Sequence, residues 1–135
     1  MLVSTPALSS EQLTLAGRTV LVIEDHKDSR ELLTTILVSL QAHVLTAGTV
    51  EQAMHEVRVC RPHLIVSDIK LPDGTGIDFM RWLRTQPRGA RIPSIAITAW
   101  GKNFPPQAAG DFDAYMPKPL DFERFSALAV SLAYR

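Results

Sequence analysis

Three carboxylates, a hydroxyl and an ammonium group stand at the ends of apolar runs spread along this chain. Glu24 and Asp25 follow Thr19–Ile23, Asp68 follows Leu64–Ser67, Thr98 closes Ile95–Ile97, and Lys118 lies just past Tyr115 and Met116. If the runs are strands of one parallel sheet, their C-terminal ends share an edge, which is where open α/β proteins place their sites. Carboxylates gathered there repel one another and resist ionisation unless positive charge neutralises them. An all-oxygen set of this kind suits a hard divalent cation such as Mg²⁺.

The elements needed to position these groups can be read from the pattern. Arg18–Ile23 is a β-branched strand, and Asp28–Leu40 carries Leu32, Leu33, Ile36, Leu37 and Leu40 at helical spacing. Ala42–Thr46 is a second strand. Thr49 caps a helix over Val50–Cys60, with Ala53, Met54 and Val57 inward, and Pro62 stops it. His63–Ser67 is the third strand, Asp73-Gly74-Thr75-Gly76 a turn, and Ile77–Thr85 a helix that holds a half-buried Trp82. Pro93 opens a fourth strand, Ser94–Thr98. Phe112–Met116 is a fifth, and Asp121 caps a last helix over Phe122–Tyr134 with Phe125, Leu128, Ala129 and Leu132 inward.

Between the fourth and fifth strands, Gly101–Gly110 contains Pro105 and Pro106, which exclude a regular helix interior, so the fourth helix is expected to be short or irregular. Strands alternating with helices imply a parallel sheet with right-handed crossovers and helices on both faces. Residues 1–17, rich in Ser, Thr, Ala and Leu, read as a poorly ordered lead-in or a short helix over Ser10–Leu15, and residues 18–135 as one domain.

Composition narrows the function. A chain of 135 residues with 46% hydrophobic content can bury a core without disulfides. Fourteen basic residues balance fourteen acidic ones, which disfavours DNA and anionic membranes as partners. No apolar stretch reaches the ~20 residues that span a bilayer, and the start lacks a signal-peptide pattern, so the expected location is the cytoplasm. Cys60, the only cysteine, excludes an internal disulfide and reads as a core residue. His43, His55 and His63 share no metal-binding spacing, while His26 falls beside the acid pair as a loop residue.

Four motifs in order resemble the receiver domain of two-component response regulators: Val-Leu-Val-Ile-Glu-Asp at 20–25, Ser-Asp-Ile-Lys-Leu-Pro-Asp-Gly-Thr-Gly at 67–76, Ile-Thr-Ala at 97–99 and Tyr-Met-Pro-Lys-Pro at 115–119. The resemblance implies a flavodoxin-like, doubly wound five-stranded parallel sheet in the order 2-1-3-4-5. It makes Asp68 the phosphoacceptor, Asp25 a direct Mg²⁺ ligand (Mn²⁺ an alternative), Glu24 a ligand through water, and the Lys70 carbonyl a backbone ligand. Lys118 would pair with a phosphoryl oxygen, Thr98 would donate its hydroxyl to another, and Thr98 with Tyr115 would form the switch. Trp100 and Lys70 would flank the route to the acyl phosphate.

The implied donor is a phosphohistidine on a sensor histidine kinase or histidine phosphotransfer protein. The output would be contact with a downstream protein that the sequence does not name. Alternatives are a receiver module of a hybrid histidine kinase, a phosphorelay intermediate, and a non-phosphorylated interaction scaffold.

Overall fold

Alternation within the strands sorts the core into two layers before any helix is placed. The computed structural model describes residues 13–99 and 111–135. In β1 (Thr19–Ile23), Val20 and Val22 face one side of the sheet, and Leu21 and Ile23 face the other. The first face is covered by α1 (Lys27–Ser39) through Leu33, Ile36 and Leu37, and by α4 (Phe122–Ala133) through Phe125, Ala129 and Leu132. Against the second pack α2 (Val50–Val59), through Ala53, and α3 (Gly76–Arg84), through Phe79, Met80 and Leu83.

Between them runs a five-stranded parallel sheet. Besides β1 it contains β2 (His43–Ala47), β3 (Leu64–Asp68), β6 (Ser94–Thr98) and β7 (Ala114–Pro117), in the order β2-β1-β3-β6-β7. Counting these strands alone, that is the expected 2-1-3-4-5. A small antiparallel pair, β4 (Lys70–Leu71) with β5 (Gly74–Thr75), adds a ladder around the turn expected at 73–76. Covered on both faces, β3 buries Leu64, Ile65, Val66 and Ser67 completely, as a central parallel strand requires.

Local signals hold at the helix starts. The side chains of Thr49 and Asp121 accept hydrogen bonds from Gln52 N and Arg124 N, so both expected caps form. Thr75 caps α3 in the same way. Asp73 adds a cap the sequence did not suggest: its carboxylate reaches across from the loop before β5 to accept from Val50 N at 2.7 Å and Glu51 N at 3.1 Å. These bonds hold its pKa below the ordinary 3.8, the one to Val50 most strongly.

Three readings need correction. Leu32, placed on the apolar stripe, is 56% exposed, because a stripe wide enough to hold it overshoots the contact with the sheet. Cys60 ends α2 half-buried rather than in the core. The lead-in is not loose at its described end: Leu15 is fully buried and its N–H donates to Leu40 O, while Leu13–Leu15 is not helical. Trp82 is half-buried as expected, in a tilted contact with Phe79. Residues 101–110, where a short or irregular helix is expected, and Trp100 lie outside the described residues.

Candidate functional site

Parallel register brings the five groups to one edge. The backbone ladder continues past β1 through Glu24 N to Ala47 O and past β6 through Thr98 O to Lys118 N, so both segments leave the sheet side by side. Lys118 is the hub. Its Nζ lies 3.1 Å from Glu24 Oε1 and 3.3 Å from Asp68 Oδ2, tying the ends of β1, β3 and β7 together. The Lys118–Pro119 peptide is cis. Asp68 Oδ1 accepts from Ile69 N at 2.6 Å, leaving Oδ2 turned to the lysine.

Glu24 is buried, with 1% of its side chain exposed, whereas Asp25 at 29% and Asp68 at 13% face a cleft. Burial pushes the Glu24 carboxyl above its ordinary 4.5; the hydrogen bond from Lys118 opposes the rise and the Asp68 charge adds to it. For Lys118 burial favours the neutral amine. The hydrogen bond to Glu24 and the charges of Asp68 and Glu24 outweigh that and raise its pKa above 10.5.

The cleft is lined by Asp25, His26, Asp68, Lys70, Leu71, Pro72, Thr98, Ala99 and Lys118. Its volume of about 340 Å³ exceeds many times the ~30 Å³ share of one liquid water, so a cation, its waters and a phosphoryl group fit together. One oxygen is conspicuous. Asp25 Oδ1 is buried and accepts no hydrogen bond, although His26 Nδ1 lies 3.3 Å away. Ligand atoms of Glu24, Asp25, His26 and Asp68 all fall within 4.8 Å of one another. Three carboxylates and the Lys118 ammonium thus meet at one edge, with Lys70 also lining the cleft, and the donor set with the orphaned Asp25 oxygen fits a hard divalent ion.

One support for the site was not legible in the sequence, and a second, the turn residue Gly76, has a tighter role than the pattern shows. Arg30, one turn into α1, donates to the carbonyl oxygens of Glu24 at 3.0 Å and Asp25 at 3.3 Å and so pins the acid pair from behind. Gly76 starts α3 hard against β3, and a methyl group built there would collide with the backbone oxygen of Asp68 and lie 2.7 Å from Ser67 Oγ. Only glycine leaves the Asp68 peptide in place.

Thr98 is buried at the end of β6. Tyr115 lies on the edge strand β7 and is 47% exposed. Lys70 is exposed, at the start of β4. His26 presents 75% of its side chain to solvent.

A family model described as response regulator receiver domain matches residues 20–129. The chain belongs to that family. Among relatives of the receiver, the uncharacterized 14.6 kDa protein in the sodA1 3' region of Leptolyngbya boryana is 34% identical over 110 residues, covering 80% of this chain and 84% of that one. The polar-differentiation response regulator DivK of Brucella anthropi is 27% identical over 110 residues, covering 80% and 89%. Among solved structures, the receiver domain of sensor histidine kinase PA1611 from Pseudomonas aeruginosa superposes with a TM-score of 0.82 at 24% identity, covering 89% of this chain and 100% of that one. That structure has a magnesium ion coordinated in its active-site cleft. The likeness places this receiver in the same fold.

Proposed function

We propose that this receiver accepts a phosphoryl group on Asp68 from a phosphohistidine of a sensor histidine kinase or histidine phosphotransfer protein, and that the change is read by a downstream protein. The observation that carries the reading is the ammonium of Lys118 held between Glu24 and Asp68 beside an unpartnered Asp25 oxygen. The receiver unit is residues 18–135, and its place of action is the cytoplasm. No helix among the described residues is long and apolar enough to cross a membrane.

An oxygen of Asp68 attacks phosphorus, the donor's P–N bond breaks, and the imidazole leaves. Repulsion between the carboxylate and the incoming phosphoryl oxygens is the main obstacle, so catalysis is largely positioning and charge neutralisation. Lys118 turns its ammonium from Asp68 towards a phosphoryl oxygen, and the Thr98 hydroxyl donates to another. Asp25, Asp68 and the Lys70 carbonyl would hold Mg²⁺, with Glu24 acting through water; when bound, the ion neutralises the developing charge on the phosphoryl oxygens. Water attack on phosphorus later cleaves the acyl phosphate, releasing inorganic phosphate and restoring the carboxylate. Movement of Thr98 towards the phosphoryl group, followed by Tyr115 on the neighbouring strand, carries the signal to the surface.

Incubation with acetyl phosphate and Mg²⁺, followed by intact-mass measurement, tests this without a partner. A gain of one phosphate, lost in Asp68→Asn, is expected. Labelling of Asp68→Asn at the wild-type rate, or no label on the wild-type protein, overturns the assignment.

A further inference from the structure

The balanced net charge conceals a separation of charge along the sheet axis. The acids gather at the C-terminal ends of the strands, and arginines gather at the opposite ends. Arg18 precedes β1, Arg61 precedes β3, Arg91 precedes β6, and Arg135 follows α4; together with His63 they line one cleft of about 330 Å³. A second cleft, of about 290 Å³, shares Arg61 and Ile92 with the first and continues over Trp82, Leu83 and Pro87, flanked by Arg58 and Arg88. Among the described residues, no Asp or Glu lines either one. Among the described residues, Arg61 and Arg91 form no ion pair, Arg18 lies over the Tyr134 ring at 4.1 Å, and Arg135 pairs with Asp113. The local field is positive: after burial, the charges of Arg18 and Arg61 are what lower the His63 pKa.

We infer that this edge of the sheet docks an acidic peptide segment of a partner protein, its carboxylates on the arginines around Arg61 and an apolar side chain in the cleft beside Trp82. Planar guanidinium forks match carboxylates in pairs, which favours arginine over lysine for such a surface. A small free anion would use the first cleft but not the apolar one joined to it. Single-stranded nucleic acid needs aromatic faces open for stacking. Among the described residues the two clefts offer only the rings of Trp82 and His63; the guanidinium of Arg58 already lies 5.3 Å from the Trp82 centroid, and His63 is held by the hydrogen bond from Thr19 N. An extended segment with an acidic stretch followed by an apolar one uses both clefts at once. The surface lies at the other edge from Asp68, so docking there and phosphorylation are separable.

The test is fluorescence anisotropy of a short dye-labelled peptide with a run of glutamates followed by leucines, at low and moderate salt. Comparators are its glutamine counterpart, an oligothymidylate of similar length, and inorganic phosphate as competitor. The acidic peptide is expected to bind with an affinity that falls as salt rises, and the glutamine peptide about tenfold more weakly. Arg61→Glu and Arg91→Glu, each checked by circular dichroism for folding, should each weaken binding about tenfold while Asp68 labelling by acetyl phosphate stays at the wild-type rate. Equal binding of the glutamine peptide, stronger binding of the oligonucleotide, displacement by phosphate alone, or folded Arg variants that bind as the wild type does would each overturn the inference. Absence of Asp68 labelling would count against the phosphoacceptor reading and leave this one standing.

Discussion

Replacing Lys118 with methionine removes the ammonium that bridges Glu24 and Asp68, and its cost can be worked from the geometry. Glu24 Oε1 would lose its 3.1 Å partner while remaining 1% exposed, and Asp68 would lose a 3.3 Å contact at 13% exposure. Breaking a buried ion pair by deleting one partner costs about 3–5 kcal/mol. Lys118 is itself 29% exposed, so solvent already screens part of the interaction and about 2 kcal/mol is the better expectation. For a domain of this size that corresponds to a fall in melting temperature on the order of 8 °C. The sign of the pH dependence is fixed by Glu24.

Burial has already raised its folded pKa above 4.5, and losing the opposing hydrogen bond raises it further. The folded variant therefore holds a proton at pH values where the wild-type Glu24 has already released it, so the deficit opens as pH rises past the wild-type folded pKa, itself above 4.5, and is full above the variant's. At and below 4.5 the two proteins should converge, because a protonated Glu24 no longer needs the ammonium. Denaturant unfolding followed by circular dichroism, at acid and neutral pH, measures this. Labelling of Asp68 should fall in the same variant. A deficit of equal size at both pH values would refute the argument that a stranded Glu24 charge is its source.

Asp25→Ala should weaken Mg²⁺ binding far more than His26→Ala, since the aspartate oxygen is buried and orphaned while the histidine is largely in solvent; calorimetric titration would show equal effects if the site is wrongly drawn. Gly76→Ala should slow Asp68 phosphorylation as well as destabilise the fold, because the new methyl displaces the Asp68 backbone, and an unchanged labelling rate would contradict the close approach. His63 accepts from Thr19 N through Nδ1, and burial, then Arg18 and Arg61, lower its pKa below 6.5. The unfolded chain binds that proton first, so stability is lost as pH falls from 6.5 to the folded pKa, and His63→Gln should flatten this part of the stability curve.

Much of this molecule is determined by short-range information. Alternation in β1 assigns each side chain to a face, Pro62 and Pro93 mark where strands open, and Thr49 and Asp121 start helices because their oxygens reach N–H groups only three residues ahead. The five site residues could be named for the same reason, each being a polar group that ends an apolar run. What no local pattern contains is which groups meet. That Lys118 bridges Glu24 and Asp68, that Arg30 pins the acid pair, that Asp73 caps a helix from 23 residues away and that Gly76 is forced by the Asp68 backbone all depend on strand order and register.

Burial is decided at the same level. Glu24 and Asp25 are neighbours in the chain, yet one carboxylate is sealed beneath the lysine and the other opens to a cleft, a difference set by what the fold packs over each. Tyr115 is exposed because β7 is an edge strand, and Leu32 because α1 turns only part of its apolar stripe inward. The arginine edge is the clearest case: Arg18, Arg61 and Arg91 are scattered through the sequence, and only a parallel sheet, whose strands all begin on one side, sets them together opposite the acids.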